Sequence, residues 1–230
     1  MYKQITLTIL FLWALMSLKA QETNNEYFEG EVHFRVTTKA LDKRIPQEIL
    51  DRETGTEMIG KVKRDKYLMY QNTGGKLGVV KTILLLEDGV GYVEYANSDT
   101  INQFSIEVPP GKLLHAELNE EDHKVILGDT CRSMTFTYTP TDSYGVIEYV
   151  EATYYFNPRF KLDKEKYAKH EMSFWNKFVE MGNGGISVRN EVISYPLYST
   201  TYEATEIIEK SIPEKEFEPN PSKFIKVENK

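Results

Sequence analysis

The chain has 230 residues and a formal net charge of −7, with 28 Lys and Arg against 35 Asp and Glu. This acidic balance argues against a nucleic-acid partner, which requires a basic surface. The single cysteine, Cys131, excludes an internal disulfide. The length suits one domain, because β-rich domains often reach this size.

The N-terminal segment has the order of a secretory signal. Lys3 makes the start basic, Ile5–Leu18 is almost wholly apolar, and Ala20 is a small residue at the end. The alternative is a transmembrane anchor, but a bilayer span needs about 20 apolar residues. We predict a signal peptide over 1–20, cleaved after Ala20, and a periplasmic or secreted protein that meets the membrane only before cleavage. A single β-rich domain over 21–210 and a Pro- and charge-rich tail over 211–230 follow.

The first half of this domain is predicted to consist mainly of strands. Glu26–Thr38 alternates between apolar and polar residues, which is typical of a strand with one buried face. Pro46 is well placed in the first turn of a short helix within Leu41–Asp51. Thr56–Gln71 then reads as two strands around the basic turn at 63–66.

A second hairpin is predicted around Glu87-Asp88-Gly89, because Asp-Gly between apolar runs favours a tight turn. Its first strand, Val79–Leu86, ends in four consecutive apolar residues, which indicates burial on both faces. Val90–Tyr95 returns, and Ile101–Ile106 adds another strand.

The stretch Cys131–Phe156 is predicted to be a hairpin whose returning strand carries bulky residues on both faces. Cys131 is interpreted as a small buried residue at the start of a strand, with a reactive or intermolecular thiol as the alternative. After the hairpin, Leu162–Met181 has helical spacing, with Asp163 as a cap at its start and Gly182 at its end.

The end of the domain is predicted to be extended. Glu191–Ile208 reads as a long strand segment interrupted by Pro196, which indicates an edge strand or a bulge. Ser211–Lys230 reads as a loose tail with a few docked side chains such as Phe217.

No catalytic signature is present in the sequence. It lacks G-x-S-x-G, H-E-x-x-H and a phosphate-binding loop, and its four histidines are scattered. Glu120–His123 could in principle hold a divalent cation, but it lacks the spacing of a calcium loop, so a solvated polar turn is the preferred interpretation. We predict no enzymatic activity, no cofactor and no metal site.

Several segments resemble secreted bacterial proteins of the GLPGLI type and their relatives of LolA-like fold. Ile126–Cys131 matches the pattern I-L-G-x-x-C of that family. Further similar segments occur in the same order as in the family. These segments are Lys63–Tyr67, Asn157-Pro158, Glu165–Tyr167, Ile207–Pro213 and Phe217. The naming motif of the family is absent, and Met181–Ile186 stands in its place.

The resemblance implies a mainly β (α+β) fold: a curved antiparallel sheet forming an open half-barrel, with two or three short helices packed on its hollow. It also implies a lipid-like ligand, held as acyl chains in that hollow. The residues expected to line such a cavity are Phe34, Leu85, Val93, Met134, Phe136, Tyr138 and Tyr154. The alternative function is a structural or interaction module of the envelope with a fully packed core and a protein partner. An enzyme assembled from distant residues is the third hypothesis.

Overall fold

A single sheet dominates the molecule in the computed structural model, which describes residues 26–76, 78–141 and 145–227. The described residues form twelve strands and three short α-helices. The strands are β1 Gly30–Ala40, β2 Glu57–Val62, β3 Lys66–Asn72, β4 Val80–Leu85, β5 Val90–Tyr95, β6 Thr100–Ser105, β7 Gly111–Ile126, β8 Asp129–Pro140, β9 Tyr149–Lys161, β10 Gly185–Tyr195, β11 Tyr198–Glu209 and β12 Phe224–Val227. The helices are α1 Gln47–Thr54, α2 Lys164–Tyr167 and α3 Trp175–Met181.

The sheet is open and curved. Its strand order is β12-β6-β5-β4-β3-β2-β1-β11-β10-β9-β8-β7, so β12 and β7 form its two edges. All neighbours are antiparallel except β12, which runs parallel to β6. The predicted fold class, a curved antiparallel sheet with a few short helices on its hollow, is therefore confirmed. In the part of the chain that is described, no helix combines the length and the apolar character needed to cross a bilayer.

Several predicted strands and turns are found where the sequence pattern places them. β2 and β3 flank the basic turn at 63–66, and β8 pairs with β9 as the predicted hairpin. Residues 142–144 of its turn, and the predicted signal peptide over 1–20, lie outside the described residues. α1 ends before Gly55, but none of its residues is buried, so the helix covers little of the core.

The two faces of β3 and β4 pack against different parts of the chain. Leu84 belongs to the main core on the concave face, while Ile83 packs on the outer face with Leu68, Ile212 and Phe217. The prediction that this apolar run is buried on both sides is thus confirmed. The segment after β11 crosses the outer face of the sheet and ends as β12, which pairs with β6. More of the predicted tail than Phe217 therefore packs against the domain.

Pro196 does not interrupt a strand as predicted. Pro196 lies in the tight turn between β10 and β11, with the Tyr195–Pro196 peptide in cis. Both strands are internal to the sheet, since β11 pairs with β1 and β10 pairs with β9. The prediction of an edge or bulge there was wrong, because a hairpin turn also accommodates a residue that donates no ladder hydrogen bond.

Glu120–His123 also differs from its prediction as a polar turn. These residues belong to β7, where the register with β8 shifts between Asn119 and His123. The carboxylate of Asp122 accepts hydrogen bonds from Ser133 and Tyr155, and Arg132 pairs with Glu120. Among the described residues, no group of three or more His, Cys, Asp or Glu is arranged to hold a metal ion.

Candidate functional site

The candidate site consists of two adjoining cavities between the concave face of the sheet and the segment around α3. The first, the Ile186 cavity, has a volume of about 80 Å³. The second, the Tyr202 cavity, has a volume of about 270 Å³. Both are bordered by the same five residues: Met58, Tyr67, Met69, Trp175 and Asn190.

The remaining lining residues are mostly apolar or aromatic. Those of the Ile186 cavity are Val32, Phe34, Gly60, Val62, Leu162, Tyr167, Ile186 and Ser187. Those of the Tyr202 cavity are Gln71, Val80, Thr82, Tyr154, Met172, Ser173, Val192 and Tyr202. No charged side chain occurs in either set, so both cavities are suited to an uncharged or apolar group.

The floor of the cavities follows from strand alternation. Tyr67, Met69 and Gln71 are alternate residues of β3, and successive side chains of a strand point to opposite faces. Met58 lies on the neighbouring strand β2, paired with Gln71, so it shares their face. On the other side of the hollow, β10 contributes Asn190.

The roof is built by a break in the predicted helix over Leu162–Met181. Instead of one helix, the structure has α2, a 3-10 turn at Met172–Phe174, and α3. Ser173 and Phe174 adopt left-handed backbone angles, with φ of 52° and 58°, which end one helical turn and begin another. Left-handed φ is uncommon for residues other than glycine, so the sequence carries no plain signal for this break.

Trp175 follows this break directly and is the one residue from the roof that borders both cavities. Its ring packs edge-on against Phe178, with ring centroids 4.8 Å apart. The rings of Tyr154 and Tyr67, which rise from the sheet, lie 5.9 and 6.3 Å away. Trp175 and Phe178 therefore face the sheet.

A buried hydrogen bond supports the roof behind Trp175. The hydroxyl of Tyr67 lies 2.6 Å from Nε2 of His170, and the imidazole ring stacks on Trp175. Burial lowers the pKa of His170 to about 4, so the imidazole is neutral around pH 7. Burial also raises the pKa of Tyr67 well above its usual value.

The other phenols of the site are neutral for the same reason. Burial raises the pKa of Tyr154, Tyr167 and Tyr202. Polar side chains of the lining are also hydrogen-bonded: the hydroxyl of Ser187 donates to Asn190, and the amide of Gln71 donates to the carbonyl of Thr54. The lining is therefore uncharged but includes a few polar atoms.

Two larger depressions have a different character, although each shares at least one lining residue with the Ile186 cavity. One, of about 430 Å³, is bordered by His33, Arg35 and Glu57. The other, of about 310 Å³, lies near Asp163 and its helical neighbours Lys164 and Glu165. Charged side chains border both depressions, whereas the linings of the Ile186 and Tyr202 cavities contain none.

The seven residues expected to line a cavity occupy different places. Phe34 borders the Ile186 cavity and Tyr154 borders the Tyr202 cavity. Val93 pairs with Thr82 and so shares the concave face, but it contributes to neither lining. Leu85 packs with the cluster on the outer face.

The hairpin residues of that set lie in the packed core. Met134 and Phe136 are fully buried, and Phe136 stacks with Phe174 at 6.3 Å. Tyr138 contacts the same ring edge-on at 5.3 Å. Part of the hollow beside β8 is therefore filled by Phe174, and the open space lies instead over β2, β3 and β10.

Sequence reasoning missed most of the lining. Met58, Met69, Asn190 and Gln71 were not predicted to meet a ligand. β3 carries apolar or aromatic residues on both faces, with Tyr67 and Met69 on one and Leu68 and Tyr70 on the other. Its sequence pattern therefore does not show which face borders the hollow.

Cys131 lies away from both cavities. It is fully buried at the start of β8, which confirms its interpretation as a small buried residue. Burial raises the pKa of its thiol to about 11. A thiol with so little thiolate at neutral pH is a poor nucleophile.

Comparison with known proteins gives matches only among solved structures. No protein-family model matches the chain, and no curated protein matches it significantly. The GLPGLI-type assignment therefore stays a prediction.

Three of the similar structures come from bacteria. The lipoprotein LppX of Mycobacterium tuberculosis is 13% identical with a TM-score of 0.35, over 78% of this chain and 86% of that chain. A LolA superfamily protein of Nitrosomonas europaea is 10% identical with a TM-score of 0.36, over 87% and 94%. An outer membrane lipoprotein-sorting protein domain of Vibrio parahaemolyticus is 8% identical with a TM-score of 0.24, over 82% and 89%. Identities and TM-scores of this size transfer neither a ligand nor a function to this chain.

Proposed function

We propose that this chain is an exported, non-enzymatic protein that binds a hydrophobic, lipid-like ligand in the hollow of its open half-barrel. The observation that carries the proposal is the Tyr202 cavity, of about 270 Å³, whose lining includes no charged side chain. Ligand pockets in proteins usually begin near 300 Å³ and are mostly apolar with a few polar groups. The adjoining Ile186 cavity extends the same uncharged surface.

Affinity in such a site comes from burial of apolar surface. Each CH₂ group of an acyl chain contributes about 0.8 kcal/mol when it leaves water. Gln71, Tyr202 and Asn190 can orient one polar group of the ligand by hydrogen bonding. Because we predict that a signal peptide exports the chain, we expect the ligand to be bound outside the cytoplasm.

The test uses the fluorescence of Trp175. The chain has two tryptophans, and Trp13 belongs to the predicted signal peptide, so Trp175 is the single tryptophan of the mature chain. Titration with monoacylglycerols should shift its emission, because Trp175 borders both cavities. If neither the emission nor the thermal stability of the protein responds to any monoacylglycerol, the proposal is contradicted.

A matched pair of variants locates the site. Val80→Asp introduces a carboxylate into the lining of the Tyr202 cavity and should abolish binding, since a buried unpaired charge is costly. Val125→Asp makes the same chemical change on β7, where the side chain is 74% exposed, and should leave binding unchanged. Equal affinities in the two variants, both folded by circular dichroism, would refute this location.

The second candidate function is an envelope interaction module. It is favoured by the edge strand β7 and its adjoining turn, which expose Leu114, Val125 and Leu127. An edge strand can add a strand from a partner. Val125→Asp separates the two functions, because it should weaken binding of a partner at this edge without affecting a ligand in the hollow.

A further inference from the structure

The two cavities follow one another along the strands of the sheet. On β10, Ile186 borders only the Ile186 cavity, Asn190 borders both, and Val192 borders only the Tyr202 cavity. On β3, Tyr67 and Met69 border both, whereas Gln71 borders only the Tyr202 cavity. The cavities are therefore two parts of one trough.

The length of this trough follows from strand geometry. At about 3.3 Å per residue, the stretch from Ile186 to Val192 spans about 20 Å. The Tyr202 cavity occupies only part of that length. Its volume of about 270 Å³ lies just under the usual range of ligand pockets, which begins near 300 Å³.

One of the five residues that border both cavities belongs to the roof. Of the five shared residues, Met58, Tyr67, Met69 and Asn190 belong to the strands of the floor. Trp175 belongs to α3 and is partly exposed, whereas its neighbour Phe178 is buried. Trp175 is therefore the shared lining residue that the roof contributes.

We propose that Trp175 determines the length of acyl chain that the protein accepts. With the indole in the observed position, a chain fills the Tyr202 cavity and stops at the indole ring. Removal of the indole joins the two cavities and lets a longer chain reach Ile186. This inference rests on the proposed function, since it concerns the same site.

The ligand class in the test follows from the uncharged lining. Monoacylglycerols are uncharged amphiphiles with one acyl chain, so they present no charge to either cavity. A saturated series from octanoyl to stearoyl is titrated by isothermal calorimetry into the mature wild-type protein, Trp175→Ala and Trp175→Phe. Calorimetry is used because two of the three proteins lack the fluorophore.

For the wild type, we expect the dissociation constant to fall about fourfold for each added CH₂ until the Tyr202 cavity is full, and then to level off. For Trp175→Ala, the fall should continue over several more CH₂ groups. The longest chains should therefore bind the variant at least tenfold more tightly than the wild type. Trp175→Phe, which leaves a smaller ring in place, should level off between the two.

Gly60 offers a matched reversal of this effect. It borders only the Ile186 cavity, and an added Cβ would have no heavy atom closer than 3.8 Å. Gly60→Val should fill part of that cavity at a strand position where valine is favourable. In the double variant with Trp175→Ala, the dissociation constant should stop falling at the same acyl-chain length as in the wild type.

The outcomes separate the inference from the function on which it rests. If the wild type binds the series but Trp175→Ala levels off at the same length, the inference is wrong and the proposed function stands. A gain in Trp175→Ala that Gly60→Val does not reverse would also overturn it, because the chain would then not enter the Ile186 cavity. Absence of binding to the wild type at every length would overturn both. If circular dichroism shows that Trp175→Ala does not fold, Trp175→Phe provides the test. An unchanged chain length at which its dissociation constant levels off would then overturn the inference.

Discussion

Replacement of His170 is expected to change how the stability of the protein depends on pH. His170 is fully buried between α2 and the 3-10 turn, with Nε2 2.6 Å from the hydroxyl of Tyr67. Among the described groups, its Nδ1 has no hydrogen-bond partner. Protonation in the folded state is therefore unfavourable, and burial lowers the pKa from 6.5 to about 4.

The sign and size of the effect follow from proton linkage. Between pH 6.5 and about 4, the unfolded chain binds a proton at His170 and the folded chain does not. The free energy of unfolding therefore falls as the pH drops through this window. At about 1.4 kcal/mol per pH unit, the loss from this one group is about 3 kcal/mol.

His170→Phe removes the titrating group and keeps an aromatic ring in its place. At neutral pH the variant should be less stable by about 1–3 kcal/mol, because the hydroxyl of Tyr67 loses its buried partner. Between pH 6.5 and about 4, the free energy of unfolding of the wild type should fall by about 3 kcal/mol more than that of the variant. The variant should therefore become nearly as stable as the wild type, or more stable. Chemical denaturation of both proteins at a series of pH values measures this double difference, in which the other titrating groups cancel.

Tyr67→Phe is the matched control for this experiment. It removes the hydrogen-bonded hydroxyl but leaves His170 buried, and burial is the main cause of the lowered pKa. Tyr67→Phe should therefore retain most of the pH dependence of the wild type. Parallel stability curves for wild type and His170→Phe would refute the reasoning, as would complete loss of the pH dependence in Tyr67→Phe.

Two further predictions concern the outer face and the cysteine. Phe217→Ala should lower the free energy of unfolding by about 3–5 kcal/mol, because Phe217 fills the buried outer cluster with Leu68 and Ile83; an unchanged denaturation midpoint would show that the segment after β11 does not dock there. Cys131 should react with a thiol reagent only as fast as the chain unfolds, since it is fully buried and its pKa is about 11. Fast, complete labelling of the native protein at neutral pH would contradict this burial, and Cys131→Ala provides the baseline.

Local pattern was sufficient for most of the strands. Alternation in β1 and β8, the Asp-Gly turn before β5 and the basic turn after β2 are properties of neighbouring residues, and the structure has strands and turns at these places. The helix cap at Asp163 is equally local, since its side chain accepts a hydrogen bond from the backbone of Glu165. Such features depend on interactions within a few residues, which the sequence displays directly.

The position of the cavity depended on contacts between distant parts of the chain. Ile83–Leu86 is apolar at every position, so alternation could not tell that Leu85 lies on the outer face and Leu84 on the inner one. The sequence also carried no sign that Phe174 would fill the hollow beside Phe136, because this requires two consecutive left-handed residues.

The sequence by itself therefore determined most of the strands and the apolar face of several of them. Only the tertiary structure decided which of those faces encloses open space, and that Trp175 borders both of its cavities. The physical reason is that alternation depends on neighbours in the chain, whereas a cavity depends on the order, register and curvature of strands far apart in the chain.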